Sequence, residues 1–146
     1  MTNRADKYNL NRFLEAQNVV YPIVLKELTE GHKRTHWMWY IFPQIKGLGY
    51  SYNSEFYGIS NLEEATAYLS DPILDQRLRE TTTILQNISG NDIISILGPI
   101  DALKLHSSMT LFDKASLNDI FDQLLAKYFN GKRDENTLKL LEEKLK

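Results

Sequence analysis

The chain has 146 residues, 42% of them hydrophobic and 25% charged, the size and balance of one globular domain able to bury roughly two-thirds of the surface its unfolded form exposes. It contains no cysteine, which excludes disulfides, thiol catalysis and thiolate-bound zinc, and its net charge of −2 offers no long-range attraction to phosphate backbones, so general nucleic-acid binding is not expected. No apolar run approaches the ~20 residues that span a bilayer, and the polar start MTNRADKYNLNR lacks a signal-peptide core, so the expectation is a cytoplasmic chain without membrane contact.

The stretch NLNRFLEAQ reads as a short helix. A longer one follows over NVVYPIVLKELTEG, where Val20, Val24 and Leu28 recur with Tyr21 and Leu25 beside them until Gly31 stops it. HWMWYIFPQIKGLGYS, residues 36–51, holds too many bulky side chains for an exposed loop, and Pro43 prevents an unbroken helix, so it is expected to run through or against the core. Asn61 precedes a helix in NLEEATAYLS. Asp71 and Pro72 open the next, DPILDQRLRETTTILQNISG, with Gly90 near its exit. A short helix follows Asn91 in NDIISILG. In GPIDALKLHSSMTLFD, only Lys104 and His106 can carry charge between Asp101 and Asp113, and Ala102, Leu105, Met109 and Phe112 form one apolar stripe, the mark of a central helix. In SLNDIFDQLLAKYFNG, apolar residues recur from Leu117 through Ile120, Phe121, Leu124, Leu125, Tyr128 and Phe129, with Ser116 placed to cap the start and Gly131 the end. A last helix follows Asp134 in DENTLKLLEEKLK. No two-residue alternation bounded by hairpin turns occurs. The expected fold is all-α, a single domain over 1–146 with about six to eight helices.

Several residues fit this scheme less simply. Arg77 falls inside the apolar arc that Leu74, Leu78, Thr81 and Leu85 draw on their helix, with Glu80 at its edge. Either its stem packs while its head snorkels out or pairs with Glu80, or it grips a carboxylate or phosphate in a partly dry pocket. On the central helix Asp101, Lys104 and Ser108 align at i, i+3 and i+7; they are either packing groups or convergent polar groups of a site. Trp37, Trp39 and Tyr40 can be core or the wall of a pocket, and Gly47 and Gly49 permit close approach of main-chain amides to a ligand. His32 and His36 lack a third ligand nearby, so no metal is assigned and His36 reads as a core-edge or ligand-facing histidine. No cofactor is implied.

The motifs HWMWYIFPQIKGLGYS, EATAYLSDPILDQRLRE, ILGPIDALKLHSSMTLF and FNGKRDENTLKLL together resemble an uncharacterised bacterial domain-of-unknown-function family with all-helical structures. The resemblance implies the fold and no established activity. A calpastatin label sometimes attached to that family conflicts with this chain, because calpastatins are repetitive and largely disordered and this sequence is neither. The order of helical motifs also resembles the small helical N-glycosidases of ADP-ribose-like substrates, whose catalytic residues do not map onto positions here. Taken with the residues, the expectation is a helical domain that binds a small anionic, nucleotide-derived or ADP-ribose-like ligand. His36, Trp37, Trp39, Tyr40, Gly47, Gly49, Arg77, Lys104 and Ser108 would line the site, and Glu80 or Asp101 would accept a proton in a hydrolase. The rival expectation is a protein-interaction module or a structural domain without catalysis.

Overall fold

Asp71 accepts hydrogen bonds at 3.0 Å from the amides of Ile73 and Leu74, and Pro72 follows with its φ already helical. The same local logic starts most helices: Asn61 accepts from the Glu64 amide, Asp134 from that of Thr137, and Asp92 from that of Ser95. The computed structural model describes residues 7–145, so Lys146 and the first six residues of the polar start lie outside it. Among the described residues the protein is all-α, with nine helices: α1 (Asn11–Thr29), α2 (Met38–Ile41), α3 (Tyr52–Phe56), α4 (Leu62–Ser70), α5 (Pro72–Asn87), α6 (Ile93–Leu97), α7 (Pro99–Ala115), α8 (Ile120–Phe129) and α9 (Glu135–Glu143). Two of them exceed the expected set because the stretch 36–56 contains the single-turn α2 and α3.

Helix α7 is the axle. It packs against α2, α4, α6, α8 and α9, and Ala102, Leu105, Met109 and Phe112 are buried along it, as its lack of charge implies. Helix α1 lies across α2 and α5. Trp37, Met38, Ile41, Phe42 and Ile45 are buried, so the aromatic stretch does run against the core. It is held there by one parallel bridge: the Ile59 amide donates to the Gln44 carbonyl and the Lys46 amide to the Ile59 carbonyl, each at 2.8 Å.

Two local expectations are corrected. The two front helices are one, because Pro22 sits within α1 on the solvent side, where water can satisfy the Asn18 carbonyl that loses its amide partner. Asp119, not Ser116, caps α8, binding the Ile120 amide at 2.7 Å; Ser116 ends α7 and donates its hydroxyl to Asp119, which leaves Leu117 outside the helix and exposed. The short helix after Asn91 is α6, capped by Asp92.

Candidate functional site

The site begins with a fold-holding carboxylate. Glu27, near the end of α1, accepts hydrogen bonds from the amides of Arg34 and Thr35, the Thr35 hydroxyl and Trp37 Nε1 at 2.9–3.3 Å. Burial pushes this carboxyl up, but the hydrogen bonds outweigh burial and hold it below the usual value. Trp37 is thereby fixed in the core, fully buried, and the chain turns so that Trp39 lies on α7.

There the Lys104 ammonium sits 4.6 Å from the centre of the Trp39 ring. Asp101 holds it from behind at 3.3 Å and also pairs with Lys33 at 2.7 Å. Lys33 is nearly buried, and its ammonium lies 5.0 Å from the Trp37 ring. One carboxylate thus serves two ammonium groups, of which that of Lys104 is the more exposed.

Lys104 stands on the wall of a cleft of ≈ 340 Å³ between the 39–58 segment, α7 and the start of α9. Trp39, Ile45, Leu48, Tyr57, Ile100 and Leu103 supply its apolar surface. Gln44, Asn53, Ser54, Ser107, Asp134 and Asn136 supply its polar groups. The side-chain amides of Gln44 and Asn53, half-buried, and of Asn136, exposed, make no hydrogen bond to another of the described residues. Two glycines let the wall fold tightly on itself. A Cβ on Gly49 would stand 2.8 Å from Ser54 Oγ, and one on Gly58 would stand 2.8 Å from both Lys46 Cβ and the Ser54 carbonyl.

Of the residues the sequence nominates, Trp39, Gly49 and Lys104 meet at this cleft. Asp101 stands behind Lys104, saturated by two ammonium groups rather than open as a proton acceptor. Trp37 is core. Tyr40 is half-buried, 5.1 Å from the Tyr57 ring, with its hydroxyl donated to the His36 carbonyl and its own carbonyl accepting from Gln17. His36 is exposed rather than at the core edge, and Gly47, with φ 112°, packs beside Leu140 off the wall. Arg77 and Glu80 lie in the seam of α1 and α5: Arg77 donates to Gln17 and covers the Tyr21 ring at 5.0 Å, and Tyr21 donates its hydroxyl to Glu80. The expected Arg77–Glu80 pair is replaced by this tyrosine, whose hydroxyl is pushed well up by burial and by Glu80. Ser108 is fully buried with its hydroxyl unpartnered, and Ser107 takes its place at the cleft.

Sequence reasoning missed Gln44, Asn53, Tyr57, Gly58, Ser107, Asp134 and Asn136. A signal did exist on α7, since Ile100, Leu103, Lys104 and Ser107 fall at i, i+3, i+4 and i+7, and that stripe carries two apolar residues off the buried face. Among the described residues, no three His, Asp or Glu side chains come together as a metal would need, and no helix is long and apolar enough to cross a membrane.

No curated protein matches the chain. The crystal structure of the conserved hypothetical protein Rv1873 from Mycobacterium tuberculosis is similar with a TM-score of 0.91 and 50% sequence identity, over 93% of this chain and 98% of that one. The family described as protein of unknown function (DUF1810) matches residues 7–141, a span that includes the whole cleft wall from Trp39 to Asn136. The chain belongs to the DUF1810 family.

Proposed function

We propose that the cleft beside Trp39 binds a small anionic ligand of the nucleotide-derived class, with a ring against the aromatic wall and its anion at Lys104. The observation that carries the reading is the meeting, on one apolar-walled cleft, of three side-chain amides without protein partners and an ammonium group whose counter-ion is shared. Apolar walls with a few convergent polar groups are the usual make-up of a small-molecule site. Arg77 has no part in this reading, because its guanidinium is engaged at α1. Hydrolysis of the ligand would fall to Asp134, the carboxylate on the wall, since Asp101 is saturated and Glu80 is held by Tyr21.

A thermal-shift screen against nucleotides, ADP-ribose and sugar phosphates tests the proposal. A ligand at one hundred times its dissociation constant stabilises the native state by about 2.7 kcal/mol, which moves the melting point by several degrees. The expected result is a shift that Lys104→Ala removes. Silence across the library, or a shift that Lys104→Ala leaves intact, rejects the reading.

A protein-interaction surface is the second reading, favoured by exposed apolar groups at the cleft: Ile100 and Leu103 are each 69% exposed, and Tyr50, next to Gly49, is 93% exposed. Light scattering that reports a dimer dissociating on dilution supports it; an invariant monomer counts against self-association.

A further inference from the structure

The wall opposite the apolar residues narrows the ligand further. Ser107 is three residues beyond Lys104 and lies beside it on α7, with about 5–6 Å between their Cβ atoms. Its hydroxyl lies 3.2 Å from the Leu103 carbonyl and 3.3 Å from Asp134 Oδ2, and its one proton is shared between these two acceptors. Asp134 and Lys104 therefore line the same cleft, with Ser107 of α7 in contact with Asp134. Oδ2 also accepts from the Thr137 amide at 3.0 Å and the Thr137 hydroxyl at 2.6 Å, and so serves the start of α9. Oδ1 accepts nothing from the described residues. An ionised carboxylate oxygen can only accept, so the ligand atom that meets Oδ1 is a donor. The unpartnered amides of Gln44, Asn53 and Asn136 each both donate and accept, and the ligand group that answers them in kind is the hydroxyl, which also does both.

On the reading of the cleft as a small-molecule site, we infer that its ligand is a polyhydroxylated anion of one ring, the sugar-phosphate class. Lys104 pairs with the anion, Asp134 Oδ1 accepts from a sugar hydroxyl, and the three amides answer the remaining hydroxyls. The geometry separates this class from two near relatives. A simple anion can accept from the amide NH2 groups but brings no sugar hydroxyl to donate to Asp134 Oδ1 or to the amide carbonyls, and it meets repulsion from Asp134 with nothing to offset it. A small zwitterion satisfies Lys104 and Asp134 with its two charged ends and has only their remaining donors and acceptors to share among three amides, with no further polar group between them. The volume of ≈ 340 Å³ is at the low end of the ~300–1,000 Å³ typical of ligand sites and suits one ring rather than a dinucleotide.

The test is a titration followed by tryptophan emission, in which Trp39 on the wall reports while Trp37 is buried in the core. Ribose 5-phosphate, ethyl phosphate and γ-aminobutyrate are compared on the unaltered chain and on the Asp134→Asn and Lys104→Met variants. Asparagine keeps the cap of α9 and removes the charge. The expected result is saturable quenching by ribose 5-phosphate, at least about tenfold weaker in Asp134→Asn and absent in Lys104→Met, with ethyl phosphate much weaker on the unaltered chain and strengthened, not weakened, by Asp134→Asn. Ribose 5-phosphate binding that Asp134→Asn leaves unchanged and Lys104→Met abolishes overturns the inference while the cleft reading stands. Ethyl phosphate or γ-aminobutyrate binding as tightly as ribose 5-phosphate on the unaltered chain overturns it without recourse to any variant. No saturable change with any compound, together with silence in the thermal-shift screen, overturns both readings.

Discussion

Ser107 and Ser108 are neighbours in sequence with opposite fates, and a single substitution separates them. Ser108 is fully buried and its hydroxyl finds no partner, so the fold carries an unanswered polar group. Ser108→Ala is expected to stabilise the protein by about 1 kcal/mol in urea unfolding and to leave ligand binding unchanged. Arg12 is the contrary case. It donates to the carbonyls of Tyr8, Asn9, Phe56 and Gly58 and pairs with Glu64 at 2.8 Å, with both side chains almost wholly buried. Arg12→Ala strands the Glu64 charge and is expected to cost about 3–5 kcal/mol, read from the urea midpoint. Asp119 makes stability depend on pH. Arg79 binds both its oxygens at 2.7 and 3.0 Å, and these bonds, with those from Ser116 and Ile120, outweigh burial and hold the carboxyl far below the usual range. The native state therefore binds this proton more weakly than the unfolded chain, whose aspartates titrate near pH ~3.9. The contribution is complete above that pH and drains as pH falls toward the depressed native value. The melting point should thus fall less between pH 5 and pH 2.5 in Asp119→Asn than in the unaltered chain; equal falls reject the assignment.

At the scale of elements, propensity and packing can be seen to disagree in α1. Pro22 interrupts the amide ladder of a 19-residue helix, yet the helix continues because Phe13, Gln17, Val24 and Leu28 are buried on its inner face. Pro22 itself is exposed, so its replacement disturbs no core packing. Pro22→Ala is expected to restore the hydrogen bond to Asn18 and raise stability by about 1–3 kcal/mol in the same urea assay, the gain being limited by the freer unfolded chain. Helix α5 shows agreement instead, with its cap, its first-turn proline and its buried Leu74, Leu78 and Leu85 all pointing the same way. The fold survives one element that breaks a local rule because tertiary burial, not propensity, supplies most helical stability.

For the whole molecule, one helix links nearly everything. Helix α7 packs on five other helices, and its buried residues belong to one core cluster of the described residues. The expectation of a single domain becomes a measurement: urea unfolding followed by far-UV circular dichroism and by tryptophan emission should give one coincident transition. Two separated transitions would reject it.

What the sequence determined was the fold class and the longer helices, since helical periodicity states directly which face of each segment must leave water, while the single-turn α2 and α3 are too short to show a period. Apolar stripes identified α5, α7 and α8, the lack of charge on α7 marked it as central, and the four motifs pointed to the family that the match over residues 7–141 establishes. Of the site, Trp39, Gly49 and Lys104 were legible, because an aromatic run, a glycine loop and an isolated cation stand out without reference to any partner. Only the tertiary structure decided that Arg77 turns to Gln17 and Tyr21, that Asp101 is shared by two lysines, and that Asp134 rather than Glu80 is the carboxylate on the wall. The physical reason lies in what periodicity leaves out. It gives a residue's angle about its own helix axis but not which helix that angle confronts, and Lys33, Lys104, Ser107 and Asp134 come together only because α7 carries the end of α1's loop on one side and the start of α9 on the other.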